Sequence, residues 1–160
     1  MATPTEMKDR LVLNWAEIDG VTTSVDDYPN DDLPFEDAEL PAAITRLMSA
    51  ELGPVRVTRS YLASHLVVER WEIPTILHVC RLQKMDALAP NTAEMELCEP
   101  FLRSPAAYFV EHDRLHTDEL NDLVYGTELQ SNTGIVKIIR PKVAYWGIVY
   151  TLPVLEEFTI

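Results

Sequence analysis

The run of residues 144–155 most constrains what this chain can fold into. It reads Ala-Tyr-Trp-Gly-Ile-Val-Tyr-Thr-Leu-Pro-Val-Leu, is dominated by β-branched and aromatic residues, and carries no charged side chain. This composition predicts a strand. A strand this apolar has to be covered on at least one face, because an exposed one would pair with other chains and aggregate. We therefore expect residues 144–155 to lie deep in a domain or in a contact between subunits.

Other extended segments accompany this run. Residues 135–140 precede it across Pro141-Lys142, so the two predict a C-terminal β-hairpin. Upstream, residues 40–47 read as a strand, Gly53-Pro54 as a turn, and residues 55–61 alternate with the period of a strand. Residues 62–71 and 73–82 are also mostly extended and apolar, with Pro74 marking an edge, a bulge or a break. A short helix over residues 62–68 is the alternative.

Capping residues predict helices at the start and in the middle of the chain. A threonine near the start caps a first helix that runs to about residue 19, with Leu11, Trp15 and Ile18 forming one apolar stripe. Asn91-Thr92 begins a second helix, and Ser104-Pro105 begins another that runs to about residue 115. Thr117 is expected to begin a short last turn or helix that ends near Gly126, and a loop is expected over residues 131–134.

This order of elements predicts an α+β fold in a single domain covering residues 1–160. The sheet is expected to be mostly antiparallel, with helices packed on one face, an N-terminal helix and a C-terminal β-hairpin. A chain of 160 residues with 47% hydrophobic residues is long enough to bury a core as one domain.

The charge of the chain limits its partners. The formal net charge is −13, which argues against binding to nucleic acid phosphates or to an anionic membrane surface. Such a charge serves solubility, or a surface that faces nucleic acid without binding it. The first residues lack the apolar region of a signal peptide, and Cys80 and Cys98 form no ligand motif, so we expect free thiols in a protein assembled in the cytoplasm.

Acidic residues concentrate between residues 26 and 39. This segment combines Pro29, Asn30 and Pro34 with seven carboxylates, and such a density is typical of a solvated loop. We call residues 26–39 the acidic loop and expect it to contact a lumen or a partner. Its acids are Asp26, Asp27, Asp31, Asp32, Glu36, Asp37 and Glu39.

The sequence offers little support for catalysis. It has no G-x-S-x-G and no glycine-rich phosphate loop. His112 and His116 would share one face of a helix, but the zinc-protease pattern requires a glutamate directly after the first histidine, where this chain has Asp113. We therefore expect no enzymatic activity, no metal and no cofactor, and keep a small metal-dependent hydrolase as a third hypothesis.

The whole-chain pattern resembles the tail-terminator proteins of long-tailed bacteriophages, also called tail-completion or minor tail proteins. An amphipathic helix ends in Ile-Asp-Gly-Val21, and the acidic loop leads to Leu-Pro-Ala-Ala-Ile44. A hairpin containing Gly-Ile-Val-Lys-Ile138 then leads to Tyr-Trp-Gly-Ile-Val-Tyr-Thr-Leu-Pro-Val-Leu155. The resemblance covers most of the chain in element order and in loose motifs.

The resemblance implies a structural virion protein at the neck between head and tail. It would form a ring, commonly of six subunits, that caps the tail tube and joins it to the head-tail connector or stopper protein. Genomic DNA would cross the lumen without specific binding, and an acidic lumen would let it slide. The residues expected at the lumen or interface are Asp26, Asp27, Asp31, Asp32, Glu36, Asp37 and Trp146.

The main alternative is an acidic inhibitor or immunity protein that mimics DNA. Such a protein would share the net charge but would be a monomer or a small dimer with acids spread over many elements. Here the acids concentrate in the acidic loop and in residues 94–122, which favours the ring component.

Overall fold

A computed structural model describes residues 1–30, 34–49 and 53–160 and confirms the α+β fold. Asp31 and Asp32 lie outside the described residues. The described residues form three α-helices, α1 (Pro4–Glu17), α2 (Thr92–Cys98) and α3 (Ser104–Glu111), with 3-10 turns at Asp37–Glu39 and Glu99–Leu102. The strands are β1 (Thr23–Val25), β2 (Ala42–Thr45), β3 (Met48–Ser49), β4 (Gly53–Pro54), β5 (Arg56–Ala63), β6 (Leu66–Arg81), β7 (Gly126–Thr127), β8 (Ser131–Ile139) and β9 (Ala144–Thr159).

Two long antiparallel strands, β6 and β9, form the centre of the sheet. Each has 16 residues, and their pairing runs from Leu66 opposite Thr159 to Arg81 opposite Tyr145, with a bulge near His78. The segments expected at 62–71 and 73–82 therefore belong mostly to one strand, and β9 extends four residues beyond the expected end. The predicted C-terminal hairpin is confirmed, because β8 pairs antiparallel with β9.

Two prolines lie where the long strands exchange their outer partners. Pro74 on β6 lies between the residues that pair with β5 and those that pair with β2. Pro153 on β9 lies between the residues that pair with β8 and those that pair with β7. Proline cannot donate a ladder hydrogen bond, so it is tolerated where the outer partner is interrupted. The break expected at Pro74 is thus a change of partner within a continuous strand.

The helices pack on one face of the sheet, as predicted. Trp15 of α1 contacts the rings of Phe109 and Tyr150, with centroid distances of 5.8 and 5.0 Å. Along β6 and β9 the alternate residues face this helical side, and with the helices they form the larger core. Its largest buried members include Met7, Leu11, Trp15, Ile73, Leu77, Leu115, Ile148, Tyr150 and Leu152.

A second, smaller core lies on the opposite face of the sheet. Ile44, Ile76 and Tyr145 project there, and Phe35 of the acidic loop covers them at 0% exposure. One end of the sheet is therefore covered on both faces. No helix in the described part of the chain has the length and apolarity to cross a membrane.

The first helix begins and ends where its capping residues indicate. The Thr3 side chain accepts a hydrogen bond from the backbone N–H of Glu6, and the Glu6 carboxylate accepts one from the backbone N–H of Thr3. This reciprocal cap closes the N-terminus of the helix. The helix ends at Glu17, and Gly20 adopts a φ of 88°, a conformation that glycine takes at little cost.

The structure corrects the sequence predictions for several segments. The alternative helix over residues 62–68 is wrong, because this segment turns from β5 into β6. The helix expected to reach residue 115 ends at Glu111, and Leu115 has a φ of 57°, which no right-handed helix accommodates. The short turn or helix expected from Thr117 is a turn, closed by a bridge between Thr117 and Leu120, and the chain enters β7 at Gly126. Gly53-Pro54 forms β4, paired with β3, rather than a turn alone.

The loop expected over residues 131–134 is also wrong, since these residues begin β8. They form an irregularity in its pairing with β9 between Asn132 and Ile135. Gly134 supplies the positive φ of 74° at this point. Residues that favour turns therefore lie inside a bulged strand, where the positive φ of Gly134 serves the bulge instead of a loop.

We predict that Gly147→Ala destabilises the protein strongly. A Cβ at this position would overlap the carbonyl oxygen of Leu77 and the Cδ1 atom of Ile138, and the backbone oxygen of a central strand cannot move aside. We expect a loss of at least about 2 kcal/mol in the free energy of unfolding, measured by urea denaturation. Gly126→Ala is the matched control, because its Cβ would meet nothing within 4 Å. Equal urea midpoints for the two variants would contradict this packing.

Candidate functional site

Ion pairs hold both ends of the acidic loop to the rest of the fold. Asp26 accepts a hydrogen bond from Lys8 of α1 at 2.8 Å, and Asp27 lies 3.6 Å from Arg46. The hydrogen bond from Lys8 lowers the pKa of the Asp26 carboxyl and raises the pKa of Lys8. The Asp26 and Asp27 side chains nevertheless remain 54% and 71% exposed. Exposed pairs of this kind position a loop more than they stabilise it.

The far end of the loop is held in the same way. Asp37 lies 3.1 Å from the Arg81 Nε atom on β6, and Arg81 also donates to the Phe35 carbonyl at 3.2 Å. The backbone N–H of Glu36 donates to the Glu39 carboxylate at 3.0 Å, which begins the 3-10 turn. Asp37 stays 80% exposed. Contact of these acids with a lumen or a partner remains a prediction.

Four ring side chains anchor the loop to the sheet. We call Tyr28, Phe35, His78 and Tyr145 the aromatic anchor. His78 packs edge-on against the other three rings at centroid distances of 5.1 to 5.5 Å. The Tyr145 hydroxyl donates to the Phe35 carbonyl at 3.0 Å and accepts from the Phe35 N–H at 3.1 Å. The acidic loop is therefore the cover of the second core as well as a source of charge.

His78 is fully buried inside the aromatic anchor. Its Nδ1 lies 3.2 Å from the Ala42 carbonyl and its Nε2 lies 3.1 Å from the Tyr28 hydroxyl. Burial lowers the pKa of His78 from its ordinary value of 6.5 to about 4. On the outer side, the Arg140 guanidinium stacks over the Tyr28 ring at 3.8 Å. No sequence pattern indicated this arrangement, because the loop rings and the sheet rings are far apart in the chain: Tyr28 lies 50 positions from His78, and Phe35 lies 110 positions from Tyr145.

Trp146 belongs to the core and not to the surface. It is 3% exposed on the helical side of the sheet, and its Nε1 donates to the Glu94 carboxylate at 3.0 Å. Glu94 also caps α2, because it accepts from the backbone N–H of Asn91 at 2.9 Å. We therefore replace the expected interface role of Trp146 with a core role, in which it ties β9 to α2.

The histidine pair stacks instead of converging on a point. The rings of Tyr108, His112 and His116 lie in sequence, with centroid distances of 4.0 and 4.5 Å. His112 Nδ1 lies 2.9 Å from the Tyr108 carbonyl, so that nitrogen is already engaged. Among the described residues, no group of three or more potential ligands has the geometry to hold a metal ion. The hydrolase hypothesis gains no support from this geometry.

The other end of the sheet projects as a three-stranded arm. We define the arm as β5, residues 66–72 of β6 and residues 153–159 of β9. β5 is exposed at every residue except the half-buried Val57. Large apolar side chains stand out at the tip, where Tyr61, Leu62 and Ile160 are 76%, 55% and 61% exposed. A shallow cavity of about 320 Å³ lies at the tip, lined by Arg59, Ser60, Tyr61, Val67, Phe158 and Ile160.

A row of charged side chains crosses the arm. Arg59, Glu69 and Glu156 are successive cross-strand neighbours, on β5, β6 and β9. The Arg59 guanidinium donates to Glu69 at 2.8 Å, and Glu156 accepts from the backbone N–H of Ala2 at 2.9 Å. Both glutamates are less than 10% exposed. The row therefore holds two buried carboxylates and one arginine.

No protein-family model matches the sequence, and no curated protein matches it significantly.

We predict that His78 makes the stability of the fold depend on pH. Above pH 6.5 the histidine is neutral in both states; between pH 6.5 and about 4 only the unfolded chain binds the proton. Stability should therefore fall as the pH falls through this window, by up to about 3 kcal/mol. Urea denaturation at successive pH values measures this. His78→Gln should flatten the profile, whereas His65→Gln, at an exposed turn, should leave it unchanged. Identical profiles for the wild type and His78→Gln would contradict the assignment.

Proposed function

We propose that this chain is a self-assembling structural component of the kind that forms a tail-terminator ring in long-tailed bacteriophages. The observation that supports this most strongly is the arm. β5 pairs with β6 alone among the described strands, and its eight residues leave an open sheet edge beside exposed apolar side chains. Proteins normally cover or shorten such edges, since an open edge accepts another strand. An arm of this kind fits a chain whose partner is another protein.

The negative charge of the chain suits a ring lumen through which DNA passes without being bound. The chain carries a net charge of −13, so the field around it is negative overall. A lumen with this sign repels phosphates and does not retain a moving duplex. In this proposal the ring, commonly six subunits, caps the tail tube and contacts the head-tail connector, and it acts in the virion neck without catalysis.

The acidic inhibitor is the competing proposal, and one feature weighs against it. A DNA mimic needs rows of carboxylates that are free to meet the basic residues of its target. Here Asp26, Asp27 and Asp37 already pair with basic side chains of the same chain. A mimic also has no use for the apolar tip of the arm.

We predict that the purified protein assembles at high concentration into a species of defined size. Light scattering after size exclusion should give a mass close to a whole multiple of the 18.2 kDa chain mass, six times that mass if the ring is a hexamer. Negative-stain images should show uniform rings. A monomer at every concentration and salt, with no rings even when tail tubes are added, would contradict the proposal and favour the inhibitor.

We further predict that Leu62→Asp abolishes this assembly without unfolding the chain. Leu62 lies at the tip of the arm and is 55% exposed, so a carboxylate there would be buried only in the assembled state. Leu88→Asp is the matched control, because Leu88 is 97% exposed and lies outside the arm. Circular dichroism should show both variants folded. Normal assembly of Leu62→Asp would show that the tip of the arm is not a contact.

A further inference from the structure

The arm has a second free edge, on the side opposite β5. β7 covers β9 only at Val154 and Leu155. Beyond that point, residues 156–159 pair with β6 alone among the described strands. The arm thus ends in an open edge on each side, eight residues of β5 on one and four residues of β9 on the other.

The two free edges match in strand direction and in their position along the arm. β5 and β9 both run antiparallel to β6, so they run in the same direction. The register puts Ser60, Val68 and Glu157 in one row across the arm, next to the row that begins with Arg59. A rotation that relates copies in a ring preserves strand direction and level. The edge of β5 can therefore meet the β9 edge of a neighbouring copy as a parallel pair.

The charges on the edges favour this pairing over any like-with-like contact. β5 carries Arg56 and Arg59 and no acidic residue. The β9 segment beyond residue 155 carries Glu156 and Glu157 and no basic residue. A contact between two β5 edges would bring together only arginines as charged groups, and a contact between two β9 edges only glutamates, and like charges brought close together across a sheet are unfavourable. Pairing of β5 with β9 brings opposite charges together.

The row formed by Arg59, Glu69 and Glu156 gives a further reason to expect an arginine from a neighbouring copy beside Glu156. Glu69 and Glu156 lie directly opposite each other on adjacent strands and are 8% and 6% exposed. Arg59 of the same chain bonds to Glu69, on the side away from Glu156. In the paired arrangement, the Arg59 of the next copy would lie beside Glu156. The row would then alternate arginine with a pair of glutamates around the assembly.

We infer that β5 of each copy pairs in parallel with residues 156–159 of β9 in the next copy, so that the arms form one continuous sheet. This inference rests on the proposed assembly and specifies its interface. The contact is heterologous, since two different edges meet, and a heterologous contact with a suitable rotation closes into a ring. It also places the exposed Tyr61, Leu62 and Ile160 beside the neighbouring arm.

A charge-placement experiment tests this pairing. Ser60 is exposed and shares a row with Glu157, so Ser60→Glu would set two carboxylates side by side at the junction. We expect the concentration for half-assembly to rise at least about fivefold. The double variant Ser60→Glu with Glu157→Lys should restore assembly. Ser131→Glu, an exposed serine on the edge strand β8, is the matched control and should assemble like the wild type.

Each outcome bears on the inference. If Ser60→Glu assembles normally, or if Glu157→Lys does not rescue it, the β5–β9 pairing is wrong, although rings formed through another surface would leave the proposed function standing. A wild-type chain that stays monomeric overturns both.

A short thiol cross-linker provides a second measurement. The double variant Ser60→Cys with Glu157→Cys should give covalent multimers, whereas dimers from Ser60→Cys alone would show like-with-like pairing and overturn the inference.

Discussion

The pairing of β6 with β9 is the interaction on which the rest of the structure depends. The two strands are joined along almost their whole length of 16 residues each, and the remaining strands of their sheet attach to one of them or to β2. Pro74 and Pro153 mark the points where the outer partners change. Because proline withholds a ladder hydrogen bond, each long strand can exchange its neighbour there without losing its own continuity. The sheet is thereby divided into a covered end and an open arm.

The two ends of the sheet have different physical roles. At the covered end, α1, α2 and α3 enclose one face, and the acidic loop closes the other through the aromatic anchor. Burial of the neutral His78 ties this cover to the protonation state of one side chain. At the arm, β5 has almost no buried side chain, and two edges remain open among the described strands. Most of the buried side chains therefore lie at the covered end, and the proposed assembly would use the arm.

Local sequence signals predicted the elements whose causes are local. A capping threonine near the start of the chain predicted α1, and the apolar composition of residues 144–155 predicted the buried part of β9. The sequence was less informative where contacts between residues far apart in the chain determine the environment of a side chain or the end of an element. Trp146 reads as an interface residue, but Glu94, 52 positions away, makes it a core residue. The helix that the sequence pattern extended to about residue 115 likewise ends at Glu111, before the positive φ of Leu115.

The candidate site could be predicted only in part. Composition identified the acidic loop, and its exposed acids are consistent with a charged surface. The aromatic anchor escaped prediction, because four rings from the loop, β6 and β9 meet only after the sheet has formed. The open edges escaped it as well, since whether a strand has a second neighbour is a property of the sheet and not of the strand. The alternation of residues 55–61 predicted β5 but not its position at an edge.

The most direct test of the central claim is amide hydrogen exchange in the assembled and dissociated protein. An edge strand exchanges rapidly until a second strand covers it. We expect assembly to protect amides in two places, β5 and residues 156–159 of β9, while the amides of the covered end keep their exchange rates. Protection that appears instead at β1, β8 or the acidic loop, with β5 still exchanging freely, would contradict it.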